Sequence, residues 1–66
     1  MIAPYIVRID ATQSPAVGAG DRVRKGQNLC TEYAGAPCPS PVAGVVADVR
    51  FDPAQHEFVI SISPAH

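Results

Sequence analysis

Three side chains in this sequence carry groups that attach or exchange covalent partners: Lys25, the only lysine, and the thiols of Cys30 and Cys38. A lysine amine in an exposed turn holds an amide-linked cofactor or acyl group, and a thiol with a depressed pKa works as a carrier or a metal ligand. The two cysteines lie eight positions apart, which is not the Cys-x-x-Cys spacing of a zinc knuckle or a redox motif. A disulfide across a hairpin is sterically allowed, but a reducing cytosol favours two reduced thiols, which a small core accepts as compact apolar residues. Two thiols fall short of the four ligands of an ordinary iron-sulfur cluster, so a metal or cluster site would need Cys30 and Cys38 from two copies.

The remaining polar chemistry reads as surface and turn. His56 stands beside Glu57 at the head of an apolar-alternating run, and nothing in the spacing joins it to a nucleophile and an orienting acid. His66 is the last residue. Asp48 alternates with Val49 as an outward strand residue, and Asp52-Pro53 is turn chemistry, so neither Asp48 with Asp52 nor Asp10 with Asp21 reads as an acid–base pair. The glycines do not form a phosphate-cradling loop, since no helix start follows them. The expectation is therefore no catalytic, metal or resident cofactor site, with Lys25, Cys30 and Cys38 kept as candidate attachment points.

The elements that position these groups must be short. A chain of 66 residues makes one domain, residues 1–66, and a domain this small buries only about 60% of its unfolded surface. Seven prolines, five glycines and 47% apolar residues suit strands and tight turns rather than helices. Five basic against six acidic residues, interleaved along the chain, lack the basic stripe of a nucleic-acid binder. No apolar run approaches the roughly 20 residues of a membrane span, and Arg8 and Asp10 interrupt the start where a secretion signal needs an apolar core, so the expected location is cytoplasmic.

Along the chain, "YIVRID" alternates as a half-buried strand that breaks at Ser14-Pro15 and resumes at Ala16-Val17. "NLCTEY" places Leu29, Thr31 and Tyr33 on one face of another strand. Pro37, Pro39 and Pro41 at alternate positions make an extended connector. In "VAGVVADVRF" the alternation puts Val45, Ala47, Val49 and Phe51 inward and Val46, Asp48 and Arg50 outward, with Gly44 marking a bulge or a close crossing of backbones. "HEFVISIS" turns Phe58, Ile60 and Ile62 inward and Glu57, Val59, Ser61 and Ser63 outward, and Pro64 stops it. The sum is an all-β domain of about six short strands rolled into a compact barrel or sandwich.

Two stretches carry a family resemblance. "Gly-Asp-x-Val-x-x-Gly-Gln-x-Leu", with Gly20, Asp21, Val23, Gly26, Gln27 and Leu29, precedes "Ser-Pro-Val-x-Gly-x-Val", with Ser40, Pro41, Val42, Gly44 and Val46. This order resembles the barrel-sandwich hybrid fold of biotinyl and lipoyl carrier domains, with two pseudo-symmetric halves. In register it is closest to the corresponding N-terminal domain in the C subunit of Rnf-type electron-transfer complexes. The match spans residues 15–50, and its residues encode turns: Gly20 and Gly26 supply positive φ, Asp21 caps turn amides, Val23 plugs one end of the barrel, and Gly44 lets the halves approach.

The resemblance implies a carrier lysine at the tip of the hairpin between the two motifs, yet "TEYAGAPCPSP" has neither lysine nor methionine, and Lys25 falls in the first motif's turn. The cluster-binding cysteine motifs of the electron-transfer subunit are absent as well. These departures lead to the expectation of a non-enzymatic protein-binding or accessory module of a larger enzyme or redox assembly, without a cofactor. Its contact surface would comprise the outward residues Ile6, Val46 and Val59 with Tyr5 or Tyr33, or the proline connector, and its partner would be another protein chain or a second copy. The alternative is a covalent cofactor or acyl carrier with attachment at Lys25 or a cysteine.

Overall fold

The computed structural model describes residues 3–31 and 37–65. Among them, four strands form one antiparallel sheet curled into a half barrel: β1 (Tyr5–Asp10), β2 (Arg22–Val23), β3 (Gly44–Asp52) and β4 (Glu57–Pro64), in the order β1-β4-β3-β2. The all-β expectation holds. Where the sequence suggested two further strands, around Ala16-Val17 and from Asn28 onward, the described residues make two isolated bridges, Pro15 with Cys30 and Asn28 with Pro39. Proline is the reason: Pro15 and Pro39 have no amide hydrogen to extend a ladder. Tyr33, assigned to that strand from sequence, lies outside the described residues.

β1 and β4 pair along their whole overlap, from Tyr5 opposite Ile62 to Asp10 opposite Glu57, so Val7 meets Ile60 and Ile9 meets Phe58 on the concave face. β3 corrects the simple alternation. Ala47 is an extra residue between the pairs Val46–Ile62 and Asp48–Ser61, and this bulge reverses the phase of the strand. Val46, expected outward, is therefore core at 1% exposure, while Val45 points out at 39%. After the bulge Val49 faces the core opposite Ile60, as expected, but Phe51 near the strand end is 47% exposed. Val59 sits between Arg8 and Arg50 in register, on the convex face as expected, yet it is buried because those long side chains shield it.

The core of Ile9, Val23, Leu29, Cys30, Val46, Ile60 and Ile62 fills the concave side of the sheet. Leu29 and Cys30 come from outside the strands, and Val17, Cys38 and Val42 pack against them, so the loop segments close the half barrel. Those segments are laced to each other and to the sheet by backbone bonds: Gly20 N to Val46 O (2.7 Å), Val46 N to Asp21 O (2.8 Å), Gly26 N to Ser40 O (2.8 Å), Ser40 N to Gln27 O (2.8 Å) and Leu29 N to Cys38 O (2.9 Å). The two sequence motifs are thus clamped face to face, with Ser40 buried at 2% exposure and donating its hydroxyl to Val42 O at 2.6 Å.

Gly44 marks a close crossing of backbones rather than the bulge. It pairs with Val23 on one side and Pro64 on the other. A Cβ built on it would collide with the carbonyl oxygen of Ser63 and come within 2.9 Å of the Pro64 Cα, both backbone atoms that cannot swing aside. Replacing Gly44 with alanine is expected to lower stability by about 3 kcal/mol through this overpacking. Alanine at Gly26, which has open space but a φ of 86°, should cost about 1 kcal/mol. Urea denaturation of the two variants checks that order.

Candidate functional site

The groups singled out from sequence fall on two built turns and one pair of thiols. The first turn runs Gly18-Ala19-Gly20-Asp21 and the second Arg24-Lys25-Gly26-Gln27, and both are made the same way. The fourth residue's amide donates to the first residue's carbonyl, Asp21 N to Gly18 O at 3.1 Å and Gln27 N to Arg24 O at 2.9 Å. The fourth residue's side chain then accepts from the first residue's amide, Gly18 N to Asp21 Oδ2 at 2.8 Å and Arg24 N to Gln27 Oε1 at 2.9 Å. Gly20 and Gly26 take the left-handed third position, with φ of 95° and 86°. Sequence reading assigned Gly20, Asp21, Gly26 and Gln27 to turn construction, and the geometry agrees; Val23 between the turns is buried at 4% exposure.

Lys25 occupies the second position of its turn and is exposed. It rims an open concavity of about 410 Å³ whose walls are Tyr5, Pro41, Val42, Ala43, Pro64 and Ala65. The bond from Ala65 N to Ala43 O, 2.8 Å, ties two of those walls together. Sequence reading missed this groove. Its apolar residues come from both ends of the chain and from the second motif, and only the pairing of β1, β3 and β4 brings them together.

A smaller hollow of about 230 Å³ lies at the other end of the sheet, against Arg8, Arg50, Phe51, Asp52, Pro53 and Val59. Its charges are paired. Arg8 contacts Asp52 and Glu57, each at 3.3 Å, and Arg50 contacts Asp48 at 2.9 Å. The hydrogen bond from Arg8 holds the Asp52 carboxyl below its usual range. Asp10 is lowered too, chiefly by the amide and then the hydroxyl of Thr12, at 2.8 and 2.9 Å. His56 sits in the β3–β4 turn with a left-handed φ of 53°, its ring edge-on to Phe51 at 6.2 Å.

Cys30 and Cys38 are brought together by Asn28, which sequence reading overlooked. Asn28 Oδ1 accepts from the Cys38 amide at 2.9 Å, from the Cys30 thiol at 3.2 Å and from the Cys30 amide at 3.3 Å. The bond to the residue two positions on is an Asx turn, the one signal for it in the sequence. The Cys38 thiol donates to Gln13 Oε1 at 2.9 Å. Both cysteines are thiols, Cys30 buried and Cys38 half-buried. Burial, and then the neighbouring Cys30 thiol, push the Cys38 thiol up to about 11.

No family model, curated protein or solved structure matches this chain.

Two pH limbs follow from these groups. The Cys38 thiol stays neutral in the folded chain where an unfolded cysteine ionises, so stability holds below about pH 8.5 and falls as pH rises beyond that toward the folded value. Under reducing conditions the urea midpoint is expected to drop between about pH 8.5 and 11, and Cys38→Ser to flatten that limb. Asp52 acts in the opposite direction: its depressed value contributes stability above the ordinary carboxylate pKa of about 4, which is lost as pH falls through the folded value. Arg8→Ala should remove that part of the acid limb, read from midpoints at acid pH.

Proposed function

We propose that this chain is a non-enzymatic, protein-binding accessory module of a larger enzyme or redox assembly, built on the plan of a barrel-sandwich hybrid domain. The observation that carries the reading is the apolar groove of Tyr5, Pro41, Val42, Ala43, Pro64 and Ala65 with Lys25 on its rim. Tyr5 in its wall is 47% exposed, and on the opposite face of the same sheet Ile6 is 53% exposed and Val45 39%. Large apolar side chains left outside a small core favour assembly with another surface. Of the contact surface expected from sequence, Val46 and Val59 are buried, whereas Tyr5 and Ile6 are exposed and Val45 is exposed in addition. The barrel-sandwich plan is supported by the two motifs facing each other across the backbone bonds from Gly26 to Ser40 and from Ser40 to Gln27.

A second reading, a covalent carrier with attachment at Lys25, is favoured by the lysine's place on an exposed, rigid turn. One experiment separates the two. The tagged chain is recovered from its native host after crosslinking, and both its partners and its own intact mass are read. An accessory module is expected to keep its plain sequence mass and to crosslink stoichiometrically through Lys25 to one protein, with Tyr5→Asp weakening that capture about tenfold or more. A chain recovered alone, with added mass on Lys25, sinks the accessory reading and makes it a carrier.

A further inference from the structure

We propose that Cys30 and Cys38 are a built dithiol that closes to a reversible intramolecular disulfide by exchange with a small-molecule disulfide of the oxidised-glutathione type. The argument starts from Asn28. Its side-chain oxygen takes the Cys38 amide at 2.9 Å, the Cys30 thiol at 3.2 Å and the Cys30 amide at 3.3 Å, so one acceptor draws in atoms of both cysteines. The bond from Leu29 N to Cys38 O at 2.9 Å fixes the same two segments from the backbone side. Closure surrenders two thiol hydrogen bonds, Cys30 to Asn28 and Cys38 to Gln13, and leaves the amide bonds to Asn28 in place.

Exposure sets the order of events. Cys30 is 3% exposed and Cys38 half-buried, so the outside reagent meets Cys38 first. The Cys38 thiol loses its proton to solvent and attacks one sulfur of the small disulfide, forming a mixed disulfide and releasing one thiolate. Cys30 then loses its proton and attacks the Cys38 sulfur, forming the Cys30–Cys38 bond and expelling the second small thiolate. The chain gives up two electrons and two protons, and one small disulfide leaves as two thiols. Because burial raises the Cys38 thiol, the first step is slow at neutral pH and quickens as pH rises. The bond would join positions eight apart in sequence.

The test uses the full chain in mixtures of reduced and oxidised glutathione at about pH 8, acid-quenched, alkylated and weighed intact, beside the same chain in urea. The folded chain is expected to lose two hydrogens, take up no alkylating agent and yield a Cys30–Cys38 crosslinked peptide, with a closure constant about tenfold or more above that in urea. Cys30→Ser should stop at a persistent glutathione adduct on Cys38, and Asn28→Ala should lower the closure constant severalfold. The proposal is overturned if the folded wild-type chain keeps two alkylatable thiols, or ends as a glutathione adduct or a disulfide dimer, at ratios that oxidise the chain in urea. Closure of Asn28→Ala as complete as wild type would overturn the role given to Asn28.

Discussion

The tightest constraint in this small domain is at Gly44, where β4 occupies the space that any side chain would need. The residue is paired in register with both neighbours, with Val23 of β2 on one side and Pro64 of β4 on the other. Because β4 also pairs with β1, this crossing joins the two ends of the chain to its middle. The Ala47 bulge three residues later turns the strand's phase, so Val46 and Val49 both reach the core although they are an odd number of positions apart. Without that switch either Val46 or Val49 would face solvent, a serious loss for a core of so few residues.

What the sheet cannot cover, the loops do. The half barrel presents one apolar face, and the segments carrying Val17, Leu29, Cys30, Cys38 and Val42 lie over it without forming long strands. Prolines prevent extended ladders there, so the backbone polar groups are satisfied by individual bonds between the two motifs and by side-chain acceptors, with Asp21, Gln27 and Asn28 each serving a turn. This economy explains why so many of the motif residues are glycine, serine and short amides. It also places the two thiols, Cys30 in the core and Cys38 packed against it, on segments held by hydrogen bonds rather than by a ladder.

The groove beside Lys25 is separate from that core. Lys25, Tyr5 and the Pro41–Ala43 segment surround a shallow apolar groove, whereas the far end of the sheet carries ion pairs between Arg8, Asp52 and Glu57. Exposed ion pairs contribute little to stability and keep that end of the sheet solvated. Apolar exposure is instead concentrated where the two termini and the second motif meet, the end at which another surface would find hydrocarbon to bury.

The sequence by itself determined the all-β class, the two glycine turns and the alternating runs as strands, because period-two patterning and positive-φ glycines act over a few residues. Asp21 and Gln27 as turn residues, Ile60 and Ile62 as core, and Lys25 as a turn residue were legible for the same reason. The tertiary structure alone decided the phase of β3, since a bulge leaves no local trace in a run such as Val-Val-Ala-Asp-Val. It also decided that Val59 is shielded by Arg8 and Arg50 and that the segments around Cys30 and Pro39 form bridges rather than strands. The meeting of Cys30 and Cys38 on Asn28 and the groove beside Lys25 were equally out of reach, because each depends on residues that only the folding of distant segments brings together.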